Sequence, residues 1–246
     1  MVELSKLGTK EVKLNAFVFS DVLSSAELVY VCCGIPVSDG KSKEYLFSVH
    51  GVSESDHLRS ASFAGPPMAM YSTADGVEVC IPDGVVSFRP TLERRGIFKC
   101  DSPQWACRDR NILVAGSQKG LLWGFDSAGE PLFHAKMPSG ILMAATGDAT
   151  FYASHKAVYR ISADDATRGL DGWSEKVFVS EHPLKTAVST RESMVVADTN
   201  GVVTQIWPGG EVSSRVTEEE IMFMISLPGN RLAVVTGKEL IVVELL

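Results

Sequence analysis

No stretch of this 246-residue chain comes near the ~20 apolar residues that a membrane-spanning helix needs. The longest runs, Ile221–Leu227 and residues 240–246, stop at about seven, and Glu244 interrupts the second. Met1 to Leu7 carry no apolar block behind a basic end, so they do not read as a secretory signal. Cysteine is scarce and odd in number (Cys32, Cys33, Cys80, Cys100, Cys107), and no Asn-x-Ser/Thr acceptor occurs, which together lead to the expectation of a soluble cytoplasmic or nuclear protein. Positive charge is in deficit as well: 23 Lys+Arg face 30 Asp+Glu, a net −7. No protein-wide field therefore attracts a nucleic acid or an anionic membrane, and any such contact has to be local.

Helical periodicity is equally rare, and the motifs of common enzymes are missing. There is no phosphate-cradling Gly-x-x-x-x-Gly-Lys-Ser/Thr, no Gly-x-Gly-x-x-Gly, no His-Glu-x-x-His and no calcium loop. Gly116-Ser117-Gln118-Lys119-Gly120 fails the nucleophile-elbow order. Cys100 and Cys107, with Cys80 and His134, are too widely spaced for a structural zinc site and read as small buried apolar residues. The five histidines are scattered along the chain. Neither a cofactor nor a metal is expected, and the chain is expected not to be an enzyme.

What is present is short β-rich runs separated by turn chemistry, and they repeat. Residues 113–123 and 194–204 match at every apolar, small and turn position, and the template also fits residues 69–79, 150–160 and 232–242. The shared turn positions are Gly76, Gly120, Ala157, Gly201 and Glu239, spaced by 44, 37, 44 and 38 residues. A looser sixth copy pairs residues 27–33 with 44–49 across a swollen loop, residues 34–43. Each copy reads as a β-hairpin, with Asp75-Gly76 and Asn200-Gly201 supplying the φ > 0 turn residues. A small residue near the end of its first strand (Ser72, Gly116, Ala153, Ala197) points to close approach of a neighbouring sheet. Further extended segments follow the hairpins at residues 85–90, 131–136, 176–180 and 211–216, and precede them at 141–146, 186–189 and 221–227. Each unit is then a four-stranded antiparallel sheet of about 40 residues, the size of a propeller blade.

The run from Val114 to Glu130, with its strand-ending Asp126 and Gly129-Glu130 turn, most resembles a blade of the WD-repeat and quinoprotein-like β-propeller superfamily. The resemblance extends over nearly the whole chain, although no copy carries the Trp-Asp dipeptide or the Gly-His pair, so the polar network they build is absent or replaced. It implies an all-β, single-domain propeller over residues 1–246. Six four-stranded blades are expected, with five or seven left open because residues 52–67 are short. The ring would be closed by an extended segment at residues 11–17 completing the last blade. It also implies a non-enzymatic scaffold that binds other protein subunits within a complex, without membrane or small-molecule ligand. A nucleic-acid-binding subunit and a ligand-binding or enzymatic propeller are the alternatives.

Charge is segregated. Residues 89–110 hold Arg89, Arg94, Arg95, Lys99, Arg108 and Arg110 against Glu93, Asp101 and Asp109, a net +3 in a chain whose remainder is −10. Trp105 lies in the same stretch, and Arg with Trp is the composition of interaction hot spots. Trp173 sits in a long polar loop at residues 163–174. The expected partner-binding residues are thus Arg94, Arg95, Trp105, Arg108, Arg110 and Trp173. Alanine at Trp105, Arg108 and Arg110 is expected to weaken partner capture without unfolding the ring. The run Glu218-Glu219-Glu220 reads as a solvated turn.

Overall fold

The computed structural model describes residues 17–246 apart from 26–27, 39–42, 54–57, 74–75, 147–148, 191 and 228. Six antiparallel sheets follow one another, each built from strands in chain order and each open at its edges. The first comprises β1 (Phe17–Ser25), β2 (Leu28–Ser38), β3 (Lys43–Ser53) and β4 (Leu58–Phe63); the second, β5 (Ala69–Thr73), β6 (Gly76–Ile81), β7 (Gly84–Phe88) and β8 (Arg94–Lys99). The third holds β9 (Trp105–Asp109), β10 (Ile112–Gly116), β11 (Leu121–Phe125) and β12 (Pro131–Lys136). The fourth holds β13 (Gly140–Thr146), β14 (Ala149–Ser154), β15 (Ala157–Ile161) and β16 (Ser174–Val179), with a single-turn helix α1 (Ala163–Thr167) before β16. The fifth comprises β17 (Leu184–Ser189), β18 (Met194–Asp198), β19 (Val202–Trp207) and β20 (Gly210–Arg215). The sixth shows three strands among the described residues, β21 (Ile221–Leu227), β22 (Arg231–Thr236) and β23 (Leu240–Glu244). Among the described residues no helix is long and apolar enough to cross a membrane.

The first strand of each sheet lies beside the first strand of the next, from β1 through β5, β9, β13 and β17 to β21. Among the described residues five apolar cores result, each shared by two successive sheets. The period-2 alternation of a strand explains how one sheet feeds two cores. In β10, Ile112 and Val114 join Met143 and Tyr152 of the fourth sheet, while Leu113 and Ala115 join Cys80 and Phe98 of the second. In β18, Met194 and Val196 face the fourth sheet, and Val195 and Ala197 face the sixth. The last strands β12 and β20 are largely exposed, so burial is greatest in the first three strands of a unit.

The hairpin turns are pinned by a device the repeat carries in place of the missing Trp-Asp and Gly-His pairs. Three residues before the turn position stands a buried Ser117, Ser154, Asp198 or Thr236. Each side-chain oxygen accepts backbone N–H groups from its own turn: Leu121 N on Ser117, Lys156 N and Ala157 N on Ser154, Asn200 N and Val202 N on Asp198, Lys238 N and Glu239 N on Thr236. Such local bonds satisfy donors that the ladder cannot reach. Gly120 and Gly201 have φ of 81° and 75°, and a Cβ there would come within 2.1 Å of the Met137 and Thr217 carbonyl oxygens. Glycine is required twice over, by the backbone region and by the chain passing against it.

Several details differ from the sequence reading. The copy at residues 69–79 is one strand out of phase: it spans β5 and β6, whereas the unit equivalent to the others is β6–β7, turning at Gly84. Gly84 precedes Gly120 by 36 residues, close to the 37 that follow. Cys80, not Ser72, then occupies the small position, and it is fully buried between the second and third sheets. Residues 34–38 and Lys43 belong to strands where a swollen loop is expected, because β2 and β3 continue in register to Ser38↔Lys43. Residues 89–110 hold two strands, β8 and β9, and residues 163–174 contain α1, capped by the Ser162 hydroxyl accepting from Asp165 N. Phe17 begins β1 of the first sheet, and residues 11–16 lie outside the described residues.

The shared cores should dominate stability. Phe98 is 1% exposed and meets the Phe125 ring edge-on at 5.7 Å. Phe98→Ala is expected to cost about 3–5 kcal/mol in urea unfolding, whereas Leu132→Ala on exposed β12 should stay within about 0.5 kcal/mol. Equal effects would contradict the two-sided core.

Candidate functional site

The expected partner-binding residues separate into interior and rim. Trp105 is 5% exposed and belongs to the core between the third and fourth sheets, meeting Tyr152 edge-on at 6.2 Å. The Arg108 side chain is also interior: its Nε donates to Glu78 Oε1 at 2.9 Å and an Nη donates to Ser87 Oγ at 3.0 Å, with the guanidinium over the Phe98 ring. Neither side chain is on offer to a partner, and replacing them would disturb the cores rather than binding alone. Their position on β9 explains this, because a first strand lies against both neighbouring sheets. Arg94 and Arg95 are exposed on β8. Arg110 and Trp173 are brought together although 63 residues apart in sequence.

Their meeting place follows from topology. In a four-stranded antiparallel sheet the first-to-second and third-to-fourth connections leave at one end, and the second-to-third turn and the link to the next sheet leave at the other. The β9–β10 turn carries Asp109 and Arg110, residues 162–173 join β15 to β16, and Pro208 lies in the β19–β20 turn, all at the first end. They enclose a cleft of about 320 Å³. Arg110 Nη1 donates to Asp164 Oδ2 at 2.7 Å, and Arg160 pairs with Glu175. Asp109 Oδ2 accepts from Ala163 N at 3.0 Å, tying α1 to the third sheet. Half-buried Trp173 lines the cleft and packs on Phe133 at 6.5 Å between ring centroids. Arg94 and Arg95 do not line it. Sequence reasoning missed Asp164, Asp165, Arg160 and Glu175; the Ser162-Ala163-Asp164-Asp165 start of α1 is the capping signal that could have located them.

Other charged and polar groups are structural. Glu218, Glu219 and Glu220 each pair with a cation, Arg215, Lys238 and Lys185 respectively, so this run is a turn whose exposed carboxylates are also cross-linked at the surface. His134 stacks on Trp123. Burial pushes the Cys100 and Cys107 thiols up to about 12 and Cys80 well up, in keeping with the sequence reading of apolar packing groups. Glu78 is 1% exposed and its Oε2 has no hydrogen-bond partner among the described residues. Desolvation raises its carboxyl above 4.5, with Arg108 and Ser87 pulling it back. A carboxyl whose folded value is raised contributes stability that is complete below its unfolded value and is lost as pH rises through the folded one. Glu78→Gln, which still accepts from Arg108 but does not titrate, is therefore expected to gain on the wild type as urea midpoints are followed upward from pH 4.5. A difference that stays constant with pH would contradict this.

No protein-family model matches the chain, and no curated protein sequence does. Solved structures do. The computationally designed Ika8 protein superposes with a TM-score of 0.60 at 12% identity, over 88% of this chain and 67% of its own. BamB from Moraxella catarrhalis, a β-propeller of the quinoprotein-like kind, superposes with a TM-score of 0.56 at 18% identity, over 94% of this chain and 70% of its own. At these identities the likeness is one of fold, and the chain has a β-propeller-like, all-β architecture.

Proposed function

We propose that the protein is a closed six-bladed ring that works without catalysing a reaction, as a scaffold in the cytoplasm or nucleus. It holds other protein subunits at the end where the Arg110–Trp173 cleft opens. The observation that carries the closed ring is the second face of the sixth sheet. Register places Phe223, Val235 and Leu240 in one cross-strand row and Ile225, Ala233 and Val242 in another, both on the face opposite Met224, Val234 and Ile241, which pack toward the fifth sheet. Phe223, Ile225, Leu240 and Val242 are 45–65% exposed. A sheet that ended an open stack would carry a polar outer face. An apolar one calls for a neighbour, and the first sheet is the neighbour that closure supplies.

The scaffold reading rests on the cleft, which joins turns of three successive sheets on a rigid frame. A protein partner is favoured over nucleic acid because Arg89 pairs with Glu93, Arg108 with Glu78 and Arg110 with Asp164, which removes half of the basic stretch from a phosphate field. In affinity purification from the native cell, wild type should retain protein partners that survive nuclease, and Asp165→Arg combined with Trp173→Leu should lose them about tenfold with the β-sheet circular dichroism spectrum unchanged. Unchanged retention would reject the cleft, and nuclease-sensitive partners would turn the reading to nucleic acid.

A further inference from the structure

Resting on the scaffold reading, the cleft also says what kind of partner group it takes. Its walls carry Asp109, Asp164, Asp165 and Glu175 against Arg110 and Arg160, an excess of two negative charges. The two arginines are each matched by one carboxylate, Arg110 by Asp164 and Arg160 by Glu175. Asp109 is bonded through Oδ2 to a neutral backbone N–H, so its charge meets no cation in these contacts. The Asp165 carboxylate has no partner among the described residues; only its backbone groups are bonded. Two unmatched carboxylates therefore face an opening that also presents half-buried Trp173, whose other contacts fix it against Phe133.

We infer that this cleft receives the cationic side chain of a lysine or arginine from an extended segment of the partner protein. The incoming charge is drawn by Asp165 and Asp109 and can lie over the Trp173 ring, the aromatic with the strongest attraction for cations. The molecule already seats two guanidinium groups on this wall, and one of them, Arg110, comes from the turn of another sheet. Both resident pairs are exposed, with side chains 78% and 43% accessible for Arg110–Asp164 and 44% and 58% for Arg160–Glu175. Exposed pairs are worth about 0–1 kcal/mol, so a partner cation can exchange with a resident arginine at small cost. An anionic group meets a net negative wall whose arginines are already engaged, and is repelled.

The test uses the full chain and a fluorescein-labelled peptide of alternating Arg and Gly, with a Glu-Gly peptide as the opposite charge, read by fluorescence anisotropy. The Arg peptide should bind and the Glu peptide should not, with binding weakened as salt is raised. Asp165→Asn and Trp173→Leu should each weaken the Arg peptide about two- to fivefold. Glu211→Gln, an equal charge change on exposed β20, should leave it unaltered. Failure of the wild type to bind the Arg peptide overturns the inference. So does equal weakening by Glu211→Gln, because the peptide is then held by net charge alone. If partner retention depends on Asp165 and Trp173 while the Arg peptide is ignored, the basic-group inference falls and the scaffold reading stands. Peptide binding that needs Asp165, with partner retention indifferent to the cleft, does the reverse.

Discussion

A strand apolar on both faces cannot be satisfied by one neighbour. That constraint organises this molecule. Because side chains alternate along β6, β10, β14 and β18, each of these strands sends one set of residues into the core behind it and the other into the core ahead. A single hairpin is marginal in water, and even one four-stranded sheet of this composition would expose an apolar face. Serial face-to-face packing removes the problem for each sheet in turn and hands it to the next, which is why the units have to be repeats.

The same constraint sorts charge. An ionic group on the first or second strand that points between sheets has to find its partner there, as Arg108 does with Glu78 and Ser87. Breaking such a pair is costly, though its net stabilisation against an apolar alternative is small. Charges on turns and last strands remain at the rim, where pairs such as Arg110–Asp164 hold weakly and can exchange. A rigid interior with a polar, exchangeable rim is the physical basis for reading the molecule as a scaffold.

The sequence carried the architecture through its hairpins. Asn200-Gly201 marks a turn that the structure keeps, and the strands at Pro131–Lys136 and Ile221–Leu227 lie where periodicity placed them. Strands β8 and β9 escaped because Arg94, Arg95, Arg108 and Asp109 dilute the apolar alternation, and a cation that is buried by its ion pair looks the same in sequence as one in solvent. For that reason Trp105 and Arg108 read as surface, while Arg110, two residues further on, is at the rim. The cleft itself could not be read, since Asp109 meets Ala163 and Arg110 meets Asp164 only when the fourth sheet stacks on the third. Ser117, Ser154, Asp198 and Thr236 stand in one column of the repeat that the sequence reading passed over, and the bonds they accept reveal their turn-pinning role.

The proposed closed ring requires the sixth sheet to pack its second apolar face on the first. The direct measurement is a pulsed electron-spin distance between labels at position 222 in β21 and position 19 in β1. Closure predicts one narrow distribution at short range, on the order of the ~10 Å between packed sheets plus the reach of two labels. A broad distribution, or one at the separation of opposite sides of the molecule, would contradict it.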